Sequence, residues 1–172
     1  MEKEAIIRQK LRLEGQVKSG SNWFIWIAGL SIVNSLMYLF GGQLNFIIGL
    51  GITQIIDVIG KALSDKLGSS IILVFVLIAD IIMSGIFFLF GKMCNKKKNW
   101  AFIIGMVLYS FDGLIFLLVK DMLSVAFHVF ALYCIYKGFS AKKKLDILIQ
   151  DVEINNDNTF DVNAAENIDI VN

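Results

Sequence analysis

Three stretches of this chain, residues 23–40, 70–91 and 100–119, are almost continuously apolar, and a fourth, 122–136, is similar but shorter. A helix rises about 1.5 Å per residue, so about 20 such residues cross the hydrocarbon core of a bilayer. Each stretch therefore predicts a spanning helix. Between the first two lies a different pattern. From about 44 to 66, Thr53, Gln54, Asp57, Lys61, Ser64 and Asp65 recur at helical spacing on one face, while Phe46, Ile48, Ile52, Ile55, Ile56, Ile59 and Leu63 cover the other. This is an amphipathic helix with short apolar runs. It suits a segment lying in the interface, dipping in and returning, or packing its polar face inward. The predicted fold class is all-α, a polytopic transmembrane helical bundle of four spanning helices plus one amphipathic interfacial or re-entrant helix.

Charge chooses the topology. Lys3, Arg8, Lys10, Arg12 and Lys18 precede the first span, Lys92, Lys96, Lys97 and Lys98 follow the second, and Lys137, Lys142, Lys143 and Lys144 follow the fourth. Short loops rich in Lys and Arg stay in the cytoplasm. All three clusters lie inside only if an even number of crossings separates each from the next, so the 44–66 segment should not cross. The model is then four crossings with both termini cytoplasmic and an external interfacial or re-entrant helix. Residues 1–21 predict a basic amphipathic cytoplasmic helix on the membrane surface, and 22–140 the transmembrane domain. Residues 141–172 predict a mostly disordered cytoplasmic tail, since seven acidic and no basic residues follow Leu145.

Composition narrows the class without naming an activity. The 172 residues are 56% hydrophobic and 18% charged, with mean hydropathy +0.69, too apolar for an ordinary soluble domain. Fourteen glycines and no proline suit unbroken helices packed through small residues. Cys94 and Cys134, the two cysteines, are too few for a disulfide framework and are expected as free thiols. A net charge of +1 gives no basis for nucleic-acid binding. The partners this suggests are the lipid bilayer, a second copy of the chain, and a basic cytoplasmic partner for the acidic tail.

Candidate chemistry rests on polar groups inside the spans. Asn34 and Asp80 fall near the middle of their helices, Asp112 and His128 in the outer half of theirs, and Asp57 sits on the polar face of the amphipathic segment. An ionised carboxylate at the centre of a membrane helix costs about 2.5–3.5 kcal/mol on insertion scales, so each needs a partner or a proton. Ser84, four residues after Asp80, and Tyr109, three before Asp112, offer local hydrogen bonds. Three roles fit the group Asn34, Asp57, Asp80, Asp112 and His128. It forms a proton, cation or small-solute path, it holds a metal that activates water in an intramembrane hydrolase, or it serves as interhelical glue. The metal reading is the weakest, because no HExxH or paired ligand spacing occurs. No catalytic residue, resident metal or cofactor is therefore assigned, and an enzyme is the less favoured class. Ion or solute handling is the working reading, with a membrane scaffold as the alternative.

The segments NWFIWIAGLSIVNS, 22–35, and GLGITQIIDVIG, 49–60, resemble a group of small, uncharacterised bacterial polytopic membrane proteins. The resemblance covers roughly the first third of the chain. It implies a bacterial inner or plasma membrane as the location, and it lends no catalytic residue.

Reporter tags inserted through the loops test the topology: a tag beside Lys97 should be reachable only from the cytoplasm, and external accessibility there would overturn the four-crossing model.

Overall fold

The computed structural model describes residues 2–40 and 49–169, with side-chain surroundings for 3–40 and 49–154. Every described element is helical: α1 (Glu2–Leu39), α2 (Gly51–Leu67), α3 (Ile71–Asn95), α4 (Asn99–Leu118) and α5 (Met122–Asp169). Helices α1, α3, α4 and α5 are long and apolar enough to cross a membrane. They form an up-down bundle in which α1 and α4 each lie between α3 and α5, and α2 wedges against α3, α1 and α4. One end of the bundle holds the Glu14–Lys97 ion pair and the Asn99–Asp146 hydrogen bond. At the other end stand Phe40, the α2–α3 turn and the α4–α5 turn.

The turns are closed by local chemistry. At the α2–α3 turn Gly68 adopts φ 63°, where its lack of a Cβ removes the steric penalty, and its N–H donates to the carbonyl of Ser64. The ends of α3 and α4 use the same left-handed step on lysines, Lys97 at φ 60° and Lys120 at φ 61°. In both, the following N–H reaches back to a carbonyl in the last turn, Lys98 to Met93 and Asp121 to Phe116. Asp121 then caps α5, accepting from the Ser124 N–H at 3.2 Å and the Ser124 hydroxyl at 2.6 Å, which hold its carboxyl below the usual carboxylate range. At the opposite end the Lys97 ammonium, 2.6 Å away, holds the Glu14 carboxyl below that range as well.

The core is aromatic at its centre. Phe24 of α1 meets Phe87 and Phe90 of α3 and Phe102 of α4, with ring centroids 6.2–6.5 Å apart. Leu13 and Val17 on α1 and Ala141 and Leu145 on α5 extend the same core toward the Glu14 end. This corrects two expected boundaries. Residues 2–21 are not a separate surface helix, because they continue into the rest of α1 and bury part of one face. The helix also passes 141 without a break, so 141–154 is packed helix rather than the start of a disordered tail. The expected start of the amphipathic helix near 44 lies outside the described residues, as do the side chains of the tail's later acidic positions.

The outer surface is apolar. Trp26, Val74, Phe75, Ile82, Phe111 and Val129 are all well exposed, whereas Ser21, Ser31, Thr53, Ser84, Ser124 and His128 are buried. Helix α2 has the same inversion: Asp57, Thr53 and Ser64 face the bundle, while Val58, Ile59 and Leu63 face away.

Close helix approach depends on glycine at one crossing. A Cβ on Gly20 would stand 2.6 Å from the Gly138 Cα, and one on Gly138 would stand 2.7 Å from the Gly20 Cα, backbone against backbone. Gly20→Ala should therefore force α1 and α5 apart and cost about 1–3 kcal/mol, as overpacking does. Gly15→Ala, with nothing within 4 Å of the new methyl, is the control and should be neutral or slightly stabilising. Unfolding in mixed micelles measures both, and equal stability of the two variants would refute the close crossing.

Candidate functional site

The structure resolves the expected polar layer into two levels, both built around α2. Helix α1 ends near Phe40, yet Leu50 lies beside Ser31, nine residues back along α1 and so about 13 Å inside the bundle. Helix α2 thus begins in the interior. The first N–H groups of a helix have no partner within it, and burying them bare is costly. Here other helices satisfy them. The Ser31 hydroxyl accepts from the Leu50 N–H at 2.8 Å, while Asp112 of α4 accepts from Gly51 at 2.8 Å through Oδ2 and from Ile52 at 2.9 Å through Oδ1. The carboxylate also sits at the positive end of the α2 dipole.

Glycine makes this approach feasible. A Cβ on Gly51 would stand 2.8 Å from the Phe116 ring and 3.3 Å from the Asp112 carbonyl oxygen, and one on Gly49 would stand 2.6 Å from Asn34 Nδ2. Thr53 adds a hydroxyl donation to the Leu50 carbonyl at 2.8 Å.

His128 completes the first level. Its Nδ1 lies 2.8 Å from the Ser124 carbonyl oxygen, and its Nε2 lies 3.1 Å from Asp112 Oδ2. A carbonyl only accepts, so Nδ1 carries a hydrogen. The Nε2 contact then requires a second proton between ring and carboxyl, and wherever it rests the pair as a whole has no net charge. Tyr109 stacks on the imidazole at 4.4 Å and Phe116 lies 4.9 Å away, closing the pair off from water. The expected bond from Tyr109 to Asp112 is absent. The phenol oxygen has no hydrogen-bond partner among the described residues, and the ring packs on His128 instead.

The second level lies six residues further along α2, about 9 Å. There Asp57 neighbours Asp80 of α3, with Ser35 of α1 beside both. Asp57 is 2% exposed and Asp80 0%. Among the described residues, Asp57 Oδ1, both Asp80 oxygens, the Ser35 hydroxyl and the Ser84 hydroxyl make no hydrogen bond of normal geometry. Ser84 is therefore not the local partner of Asp80 that its spacing suggested. No salt bridge among the described residues reaches either carboxyl. Lys61, one turn beyond Asp57, lies 5.1 Å above the Tyr38 ring.

Asn34 belongs beside this second level. With Tyr38, Gln54, Asp57 and Val58 it lines a cavity of about 50 Å³ between α1 and α2. A wider depression of about 360 Å³, along the outer face of α1, is lined by Ser19, Asn22, Trp23, Trp26 and Leu30 and contains no carboxyl. Among the described residues, no three His, Cys, Asp or Glu side chains converge as a metal centre would require.

All five sequence candidates are buried, but they divide: Asp112 with His128, and Asp57 with Asp80 next to Asn34. The residues that sequence reasoning missed are Ser31 and the Leu50, Gly51 and Ile52 amides. The Gly49–Leu50–Gly51 run was their one signal. Comparison with family models, curated proteins and solved structures finds no match for the chain.

Asp112→Ala should leave two buried amides and a buried imidazole without their partner and cost about 3–5 kcal/mol. Amide exchange at Gly51 and Ile52 should quicken selectively. Unchanged exchange at both would show that Asp112 does not hold the start of α2.

Proposed function

We propose that this chain is a multi-pass integral membrane protein of a bacterial inner or plasma membrane that binds and moves a proton or small cation through Asp57 and Asp80. The observation that carries the reading is the carboxyl pair itself, buried with Ser35 beside it and, among the described residues, with no hydrogen bond of normal geometry at three of its four oxygens and no basic side chain joined to it. Burying such a group as interhelical glue would give it hydrogen bonds, as the Asp112–His128 level does. Ionisable groups inside a helical bundle are costly and commonly mark an ion path.

The adjoining cavity supports an ion over an organic solute. Small-molecule pockets run to about 300–1,000 Å³, and this one is about 50 Å³. The apolar outer surface supports the bilayer as surroundings, since soluble monomers rarely expose apolar patches beyond a few hundred Å². In this reading α2 is a re-entrant half-helix. It is entered from the outside with both chain termini in the cytoplasm, and its apolar Val58, Ile59 and Leu63 face lipid. The internal start of α2 supports this, because membrane-depth backbone that is not part of a spanning helix is tolerated only where protein or a watery cavity satisfies it.

The test is flux in proteoliposomes containing the full chain, followed by a pH-sensitive dye and by radiolabelled sodium. Asp57→Asn and Asp80→Asn should each reduce flux at least tenfold while the thermal unfolding midpoint stays near that of the parent. Full proton and cation flux in the double variant would overturn the reading.

A further inference from the structure

The second level offers more oxygen ligands than a proton needs. One proton shared between two carboxyls satisfies two oxygens. Among the described residues five lack a hydrogen bond of normal geometry here: Asp57 Oδ1, Asp80 Oδ1 and Oδ2, and the hydroxyls of Ser35 and Ser84. The serines are the informative members. Inside a helix a serine hydroxyl ordinarily donates to the carbonyl four residues back, and Ser21, Ser31 and Ser110 do so at 2.7–2.8 Å. Ser35 and Ser84, both fully buried, do not.

We infer that Ser35, Asp57, Asp80 and Ser84 coordinate one dehydrated sodium ion between α1, α2 and α3. This rests on the ion-handling reading of the same pair and names its substrate class. The donors are hard oxygens, which suits sodium, magnesium or calcium and does not suit a soft metal. Magnesium holds its water shell tightly and demands near-ideal octahedral geometry, a poor match to two hydroxyls and two carboxyls carried on three helices. Calcium takes about 6–8 oxygens and generally several carboxylates, whereas this site has two. Sodium with one carboxyl ionised and the other protonated leaves the site neutral, which burial demands. The cavity bounded by Asn34, Tyr38, Gln54 and Val58 has Asp57 in its wall and supplies room for the ion's approach.

The test uses the purified full-length protein in detergent at constant ionic strength, with the chlorides of sodium, potassium, choline, magnesium and calcium. An ion that binds only the folded state raises the unfolding midpoint with its concentration. Sodium alone should do so saturably, and radiolabelled sodium should bind one ion per chain. Ser35→Ala and Ser84→Ala keep both carboxyls and change little else. Each should weaken sodium about tenfold, as loss of one ion-bound hydroxyl implies, and Asp80→Asn should abolish binding. Equal stabilisation by sodium, potassium and choline, with proton flux still dependent on Asp57 and Asp80, would overturn the sodium assignment and leave ion handling standing. Stabilisation by calcium or magnesium in place of sodium would overturn it too. Loss of carboxyl dependence from both flux and sodium binding would remove both readings together.

Discussion

An exposed row of helix amides inside an apolar bundle must find acceptors, and that requirement governs the arrangement of this molecule. Asp112, Ser31 and the Leu50–Ile52 amides meet it between three elements, and His128 supplies the proton that keeps the carboxyl neutral as a pair. With this junction made, α2 can start in the interior instead of at a surface. Its first residue fixes where the remaining ones fall, including Asp57 against Asp80. A structural polar cluster and a candidate ion site are thus distinct in role and joined by six residues of helix.

The contrast between the two levels is one of satisfaction. At the first, both Asp112 oxygens accept hydrogen bonds and both imidazole nitrogens have partners. At the second, Asp57 and Asp80 lie side by side with Ser35 next to them, and among the described residues three of the carboxyl oxygens and the Ser35 hydroxyl have no hydrogen bond of normal geometry. Within one protein, under the same burial, full pairing is evidently attainable.

Hydropathy made the four long helices legible, because each carries a continuous apolar run that no other element type explains. The polar positions were legible one by one, since a carboxylate in such a run stands out against its neighbours. Their division into pairs was not. Asp112 and Asp80 look alike in sequence, each mid-helix with a hydroxyl nearby, and only the placement of Gly51 and Ile52 gives one of them its three donors. Spacing also misled at Ser84 and Tyr109, because i,i+3 and i,i+4 neighbours meet only where no tertiary partner claims them, and His128 claims the Tyr109 ring. The end of α1 was set at residue 40 by hydropathy, while its beginning at Glu2 was hidden. The amphipathic pattern made a helix over residues 1–21 legible, but not its unbroken continuation into the span or the packing of Leu13 and Val17 in the core shared with Ala141 and Leu145 of α5.

The amphipathic stretch was recognised as such, with its orientation left open. A polar face in water and a polar face in a bundle give the same periodicity, and only the surroundings tell them apart. Here the six-residue interval from Gly51 to Asp57 acts as a phase constraint. A helix turns through about 100° per residue, so one residue added inside that interval would swing Asp57 away from Asp80 to the place of Val58, and one removed would swing it the other way, to the place of Ile56. The junction at Asp112 would be untouched. Length in this short stretch is consequently under stricter control than residue type, and substitutions that preserve spacing have a freedom that insertions and deletions lack.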